Sequence, residues 1–162
     1  MNQFELIVKK YQEPIRRFFL SQTGGNSQLS DDLAQDTFIK AYKNLDKFRG
    51  DSSISTWLYR IAYNTWYDYT RSNHPTQDIA QGPGMLKPER EADVGKKLDL
   101  QSALAILNDN ERTCIVLQLM EGQPIDKISE ITGMKANTVK SHLSRGKEKL
   151  ASYLRQNGYD RR

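Results

Sequence analysis

The sequence predicts an all-α protein of two small helical domains joined by a flexible linker. Three observations lead there. Apolar residues recur at three and four in both ends of the chain, period-two alternation occurs nowhere, and the middle is rich in proline and glycine. At 162 residues there is room for one ordinary domain or two small ones.

The elements follow in order. Over residues 3–21, Phe4, Ile7, Val8, Tyr11, Ile15, Phe18 and Phe19 hold helical spacing, and Gly24-Gly25 ends the run. A second helix is expected over 30–46 and a third over 53–72, with 47–52 as a polar turn. Residues 75–95 contain three of the five prolines and three of the ten glycines with no sustained apolar period, which marks a linker. The domains are therefore set at 1–74 and 96–162. In the second, 98–107, 111–121, 124–132 and 135–154 again show helical spacing, with Pro124 at a first helical position, where its missing N–H costs nothing.

Charge is unevenly distributed. The net of +4 divides into +2 over 1–74, −2 over 75–95 and +4 over 96–162. No apolar run is long enough for a membrane span, and the charged N-terminus lacks a signal-peptide core. A single cysteine excludes an internal disulfide, and two histidines argue against a zinc module. No nucleophile–base set, phosphate loop or metal cluster is evident, so the chain is not expected to be an enzyme or to carry a cofactor or metal. A cytoplasmic protein is expected. Cys114, in a helix leading into the last two, reads as a buried small side chain.

Three helix faces carry functional signals. Residues 122–154 have the form of a helix-turn-helix: Ile125, Ile128 and Ile131 line a short helix, Gly133 breaks it, and Val139, Leu143, Gly146, Leu150 and Leu154 line a longer one. At about 100° per residue, Asn137, Lys140, Ser141, Ser144 and Arg145 fall on the side opposite that stripe. Short polar and basic side chains there suit a major groove, Arg for guanine and Asn for adenine. Five basic residues against Glu148 alone make 135–149 locally cationic.

The third helix holds six of the fifteen aromatic residues within Trp57–Tyr69. Ile54, Leu58 and Ile61, with Thr65, form one face; Tyr59, Tyr63, Trp66 and Tyr67 lie on another, bordered by Arg60, Asn64 and Arg71. Two readings stay open here: a central helix packed on both sides, or a platform that stacks unpaired bases. On the second helix, Leu33, Ala34, Phe38, Ala41 and Leu45 face the core. Opposite them, Ile39 stands among Asp32, Gln35, Asp36, Lys40 and Lys43, either an ordinary exposed apolar residue or the centre of a docking surface.

Together these residues resemble the sigma-70 family of bacterial RNA polymerase sigma factors, specifically its extracytoplasmic-function group, which retains only sigma domains two and four. Asp31-Asp32-Leu33-Ala34-Gln35-Asp36-Thr37-Phe38 is similar to the family's core-binding helix. Phe48-Arg49-Gly50, continued by Thr56-Trp57-Leu58-Tyr59-Arg60-Ile61-Ala62-Tyr63-Asn64, resembles its promoter-melting segment. Thr138-Val139-Lys140-Ser141-His142-Leu143-Ser144-Arg145-Gly146 resembles its recognition helix for the minus-thirty-five element.

The resemblance implies an alternative sigma factor that binds core RNA polymerase and directs promoter-specific initiation. Asp32, Gln35, Asp36, Ile39 and Lys43 would dock on the clamp helices of the largest polymerase subunit. Trp57, Tyr59, Arg60, Tyr63, Asn64, Trp66 and Tyr67, with the loop 48–56, would capture unstacked bases of the melted minus-ten strand. Asn137, Lys140, Ser141, Ser144 and Arg145 would read the upstream duplex, and an anti-sigma factor would be a usual further partner.

Three departures from the family pattern stand out. Arg71-Ser72-Asn73-His74-Pro75 replaces a basic run, His142 stands where Arg is common, and Asn137 where Gly is common. Two other functions compete on the residues alone: a helix-turn-helix regulator acting without polymerase, and a protein-binding helical module.

Overall fold

The computed structural model describes residues 2–48, 50, 52–73 and 95–158, and every regular element among them is helical. The N-terminal half consists of α1 (Gln3–Gln22), α2 (Ser27–Lys43) and α3 (Ile54–Asn73); the C-terminal half of α4 (Gly95–Ala105), α5 (Asp109–Ile115), α6 (Ile125–Thr132) and α7 (Ala136–Gln156). The expected linker lies outside the described residues except for Gly95, which opens α4.

Capping residues set the ends that periodicity places loosely. Asn2 and Glu5 form a reciprocal capping box at the start of α1 (Oδ1 accepts at 2.8 Å, Oε1 at 3.1 Å). Gly24 and Gly25, at φ 72° and 89°, turn the chain out of α1 in a region where a side chain would be strained. Asn26 then caps α2, its Oδ1 accepting from the Leu29 amide at 3.0 Å. So α2 begins three residues before the expected 30. It ends at Lys43, and Leu45–Lys47 form a separate 3₁₀ turn rather than the end of a helix running to 46.

The stretch expected as one helix over 111–121 is two elements. A second capping box, Asn108 with Glu111, starts α5 at Asp109. After Ile115 the chain widens into a π turn over Val116–Met120, closed by the Glu121 amide on the Val116 carbonyl at 3.0 Å. An apolar period carries no sign of that widening, because the side chains of Val116 and Leu117 stay buried. The turn redirects Glu121 away from the axis of α5 toward the N-terminal half, which its contacts below define.

The two halves are packed together. α3 lies along α6, and α1 touches the π turn. Ile15, Phe18, Leu58 and Trp66 of the first half join Ile115, Leu117, Ile128 and Val139 of the second in one continuous buried cluster. Each such side chain contributes about 1.5–3 kcal/mol by leaving water. Arg112 is buried within the second half, where its guanidinium donates to the Leu104 and Leu107 carbonyls and to Asp109. Three acceptors offset its desolvation and tie off the end of α4.

Candidate nucleic-acid interface

The helix-turn-helix forms as expected in its essentials. Gly133 caps α6 at φ 81°, its amide donating to the Ser129 carbonyl at 2.8 Å. The Thr132 hydroxyl accepts the Met134 amide, and the Ser129 hydroxyl donates to the Met134 carbonyl, fixing the angle at which α7 departs. Pro124 sits at the cap position, one residue before the expected first turn.

On α7, Val139, Leu143 and Gly146 are buried while Asn137, Lys140, Ser141, Ser144 and Arg145 are all exposed. Gly146 is required by proximity: a Cβ there would stand 2.8 Å from Cγ1 of Ile115. α7 therefore crosses α5 at its backbone, and the polar file faces outward.

Sequence patterning missed the support beneath this file. Glu111, with its side chain only 2% exposed, accepts from Lys149 Nζ at 2.8 Å and lies 3.8 Å from Arg145 Nε. Burial alone would raise its carboxyl, but Lys149, the Asn108 amide and Arg145 outweigh burial and hold it below the usual carboxylate range. The Asn-x-x-Glu spacing at 108–111 was the available signal. Arg145 Nη2 also stands 3.2 Å from His142 Nδ1. A guanidinium can only donate, so this ring nitrogen accepts. Partial burial and the Arg145 charge both press His142 toward its neutral form.

The α2 surface is open. Asp32, Gln35, Asp36 and Lys43 are exposed around Ile39, which is 47% exposed. Lys40 of the expected charged face is half-buried, donating to Thr65 of α3 and pairing with Asp36 at 3.6 Å. Ile39 borders an apolar groove of about 470 Å³ between α1 and α2, with Phe4, Val8, Phe38 and Tyr42 in its walls. Tyr42, 64% exposed and edge-on to Phe4 at 5.0 Å, belongs to this surface. Its position three residues after Ile39 was the legible sign.

The aromatic face of α3 is partly covered. Tyr67 is exposed with Arg71 over its ring, Arg60 and Asn64 are exposed, and Trp57 and Tyr63 are half-buried. Trp57 packs on Phe48 at 5.0 Å, and Tyr63 stacks on Tyr67 at 6.3 Å. Tyr59 and Trp66, on the face left open between packing on both sides and base stacking, are each 3% exposed. The reason is the C-terminal half: the Tyr59 hydroxyl donates to Glu121 at 2.7 Å, and Trp66 shares a cleft of about 270 Å³ with Asp109, Asn110 and Thr113. Burial, reinforced by Glu121, pushes the Tyr59 phenol far above its ordinary value. Arg71 pairs with Asp68 at 2.7 Å, while His74 and Pro75 lie outside the described residues, as do Arg49 and Asp51 of the loop before α3.

Cys114 is fully buried in α5, and desolvation pushes its thiol up to about 12. It is a packing residue. Among the described residues no cluster of three metal-ligating side chains occurs, and no helix is long and apolar enough to cross a membrane.

Two family descriptions match the chain: Sigma-70 region 2 over residues 7–76 and Sigma-70, region 4 over residues 97–150. The ECF RNA polymerase sigma factor SigW of Bacillus subtilis (strain 168) is 31% identical over 94% of this chain and 89% of its own. The ECF RNA polymerase sigma-E factor of Haemophilus influenzae is 30% identical over 93% and 87%. In architecture the chain is similar to the sigma factor RpoE crystallised with the anti-sigma factor NepR from Bartonella quintana, with a TM-score of 0.77 at 24% identity over 96% of this chain and 98% of that one. CnrH, solved with the cytosolic domain of CnrY, gives 0.74 at 24% identity over 97% and 92%. The two competing functions give way to these matches, which account for both halves in order. The chain belongs to the sigma-70 family, as an alternative sigma factor of the extracytoplasmic-function group that directs transcription initiation.

Proposed function

We propose that the three helix faces divide the work of initiation. Asp32, Gln35, Asp36, Ile39 and Lys43 dock on the clamp helices of the largest subunit of core polymerase, with Tyr42 extending the contact. An apolar centre inside a charged rim is the usual anatomy of a docking surface. Asn137, Lys140, Ser141, Ser144 and Arg145 enter the major groove of the upstream element, where Arg145 suits guanine. Trp57, Tyr59, Arg60, Tyr63, Asn64, Trp66 and Tyr67 hold bases of the melted downstream element. Opening the duplex costs about 1.4 kcal/mol per base-pair step in stacking, and stacking on aromatic rings returns about 1–3 kcal/mol per base.

The observation that carries this division is the outward file on α7, exposed in full while the stripe behind it is buried. The working borders are 1–74 for docking and melting, 75–95 for the linker and 96–162 for duplex reading. The chain supplies recognition and strand capture, and phosphoryl transfer stays with polymerase; it works in the cytoplasm and takes no cofactor. RpoE and CnrH were each solved with a binding partner, and an anti-sigma factor is a fitting partner here as well.

Size-exclusion chromatography with core polymerase, followed by permanganate probing of unpaired thymines on a promoter the holoenzyme uses, tests the division. The expected result is a stable complex whose melted region disappears when Trp57 and Tyr67 are both changed to Ala. Unaltered melting by that variant would remove α3 from the mechanism.

A further inference from the structure

His142 and Arg145 stand three residues apart on α7 and so share one edge of the helix. Arg145 Nη2 is 3.2 Å from His142 Nδ1, and Arg145 Nε is 3.8 Å from Oε2 of Glu111 on α5. Both contacts fall on one edge of the guanidinium, the edge that Nε and Nη2 form. Among the described residues the other edge, Nη1 with the outer N–H of Nη2, meets no acceptor. The Arg145 side chain is 54% exposed, so that edge is open to solvent. A guanine offers O6 and N7 side by side in the major groove, and one guanidinium edge binds both.

The two partners of Arg145 are themselves held. Glu111 is buried, and its Oε1 already accepts from the Asn108 amide at 3.1 Å and Lys149 Nζ at 2.8 Å. Oε2 is left to face Arg145. His142 is half-buried, and its ring accepts through Nδ1 only while neutral, the form that burial and the Arg145 charge favour. The arginine common at this place in the family has no lone pair to offer. This chain therefore sets an acceptor where a second cation is usual. A long side chain gives up rotamer freedom when it binds, and one already held along an edge gives up less.

We propose that His142 is a positioning residue for the upstream element: with Glu111 behind Nε, its Nδ1 holds Nη2 of Arg145 so that the Nη1–Nη2 edge is presented to a guanine. This rests on the base-reading role given to Arg145 above. Its consequence is that discrimination at one base pair depends on a side chain that acts through another.

The test uses holoenzyme assembled from core polymerase and the full chain, selected on a duplex library whose upstream element is randomised. Sequencing the bound molecules gives the base preference at each position. The unaltered chain is expected to prefer guanine at one position by roughly ten- to a hundredfold, and Arg145→Ala to erase that preference. His142→Leu removes the acceptor and is expected to lower the preference at that same position by about two- to tenfold, the cost of ordering one long side chain. The other positions are expected to keep theirs. His142→Asn returns an acceptor on the same branch of the side chain and is expected to retain most of the preference. His142 is half-buried at the helix edge, so neither change empties the core.

An unchanged preference in His142→Leu overturns the positioning role, as does an equal loss in His142→Asn. A loss spread evenly over all positions, the mark of a disturbed helix, overturns it too. If Arg145→Ala lowers guanine at no position, the base-reading role beneath it falls instead.

Discussion

Glu111 Oε2 stands 3.8 Å from Arg145 Nε, so the arginine assigned to the upstream element leaves α7 already paired with a buried carboxylate of α5. The same carboxylate accepts from Lys149 at 2.8 Å. The base of the recognition helix is thus fixed by charge as well as by its apolar stripe.

Glu111 should make the fold sensitive to acid. Its carboxyl is held below the ordinary range in the folded chain. Its contribution is therefore fully present above the unfolded value and is lost as pH falls through the lower folded value. Glu111→Gln should cost about 1–3 kcal/mol near neutrality, as hydrogen bonds to a charged group do, and should flatten the acid limb of stability. Urea denaturation across that pH range measures both.

His142 should titrate below an ordinary histidine, because partial burial and Arg145 oppose its protonation. Its folded value being depressed, its contribution to stability is present above the unfolded value and is lost as pH falls through the folded one. An NMR titration of the imidazole reads this directly. Arg145→Ala should move the midpoint upward by removing the neighbouring cation; a midpoint that does not move would exclude the Arg145–His142 contact.

Gly146→Ala should destabilise the chain. The new Cβ meets Cγ1 of Ile115 at 2.8 Å, an inner branch atom that cannot swing away freely. Overpacking of this kind costs about 1–3 kcal/mol, against about 1 kcal/mol of helix propensity gained. A net loss on the order of 1 kcal/mol in thermal or urea unfolding is expected, and in an Ile115→Ala background, which lacks Cγ1, the same Gly146→Ala change should cost less.

Ile39→Glu should lower affinity for core polymerase by about 2 kcal/mol, the scale of an interface hot spot, without altering the fold. Ile39 is exposed, so a charged replacement is solvated in the free chain. Competition for core against the unaltered protein measures the loss.

Much of this molecule could be read from its residues, and the remainder follows a pattern. The helices and the outward side of α7 were legible because one buried stripe dictates both. Asn26 and Asn108 shifted helix starts by a few residues, since a cap acts through one hydrogen bond that periodicity does not register. The burial of Tyr59 and Trp66 stayed open in the sequence for a deeper reason. Helical spacing assigns them to a face of α3, but what covers that face belongs to residues more than forty positions away, among them Glu121 and Thr113. Glu121 itself reads as an ordinary surface acid until the π turn aims it at Arg17.

The most direct measurement of the central assignment is 5′-end mapping of transcripts made from genomic DNA by core polymerase with and without this chain. The account predicts a set of new, discrete start sites that share two upstream sequence elements, with Arg145→Ala reducing use of those sites by roughly ten- to a hundredfold if it costs about 1–3 kcal/mol of base contact. A folded preparation that binds core and yields no new start sites would contradict it.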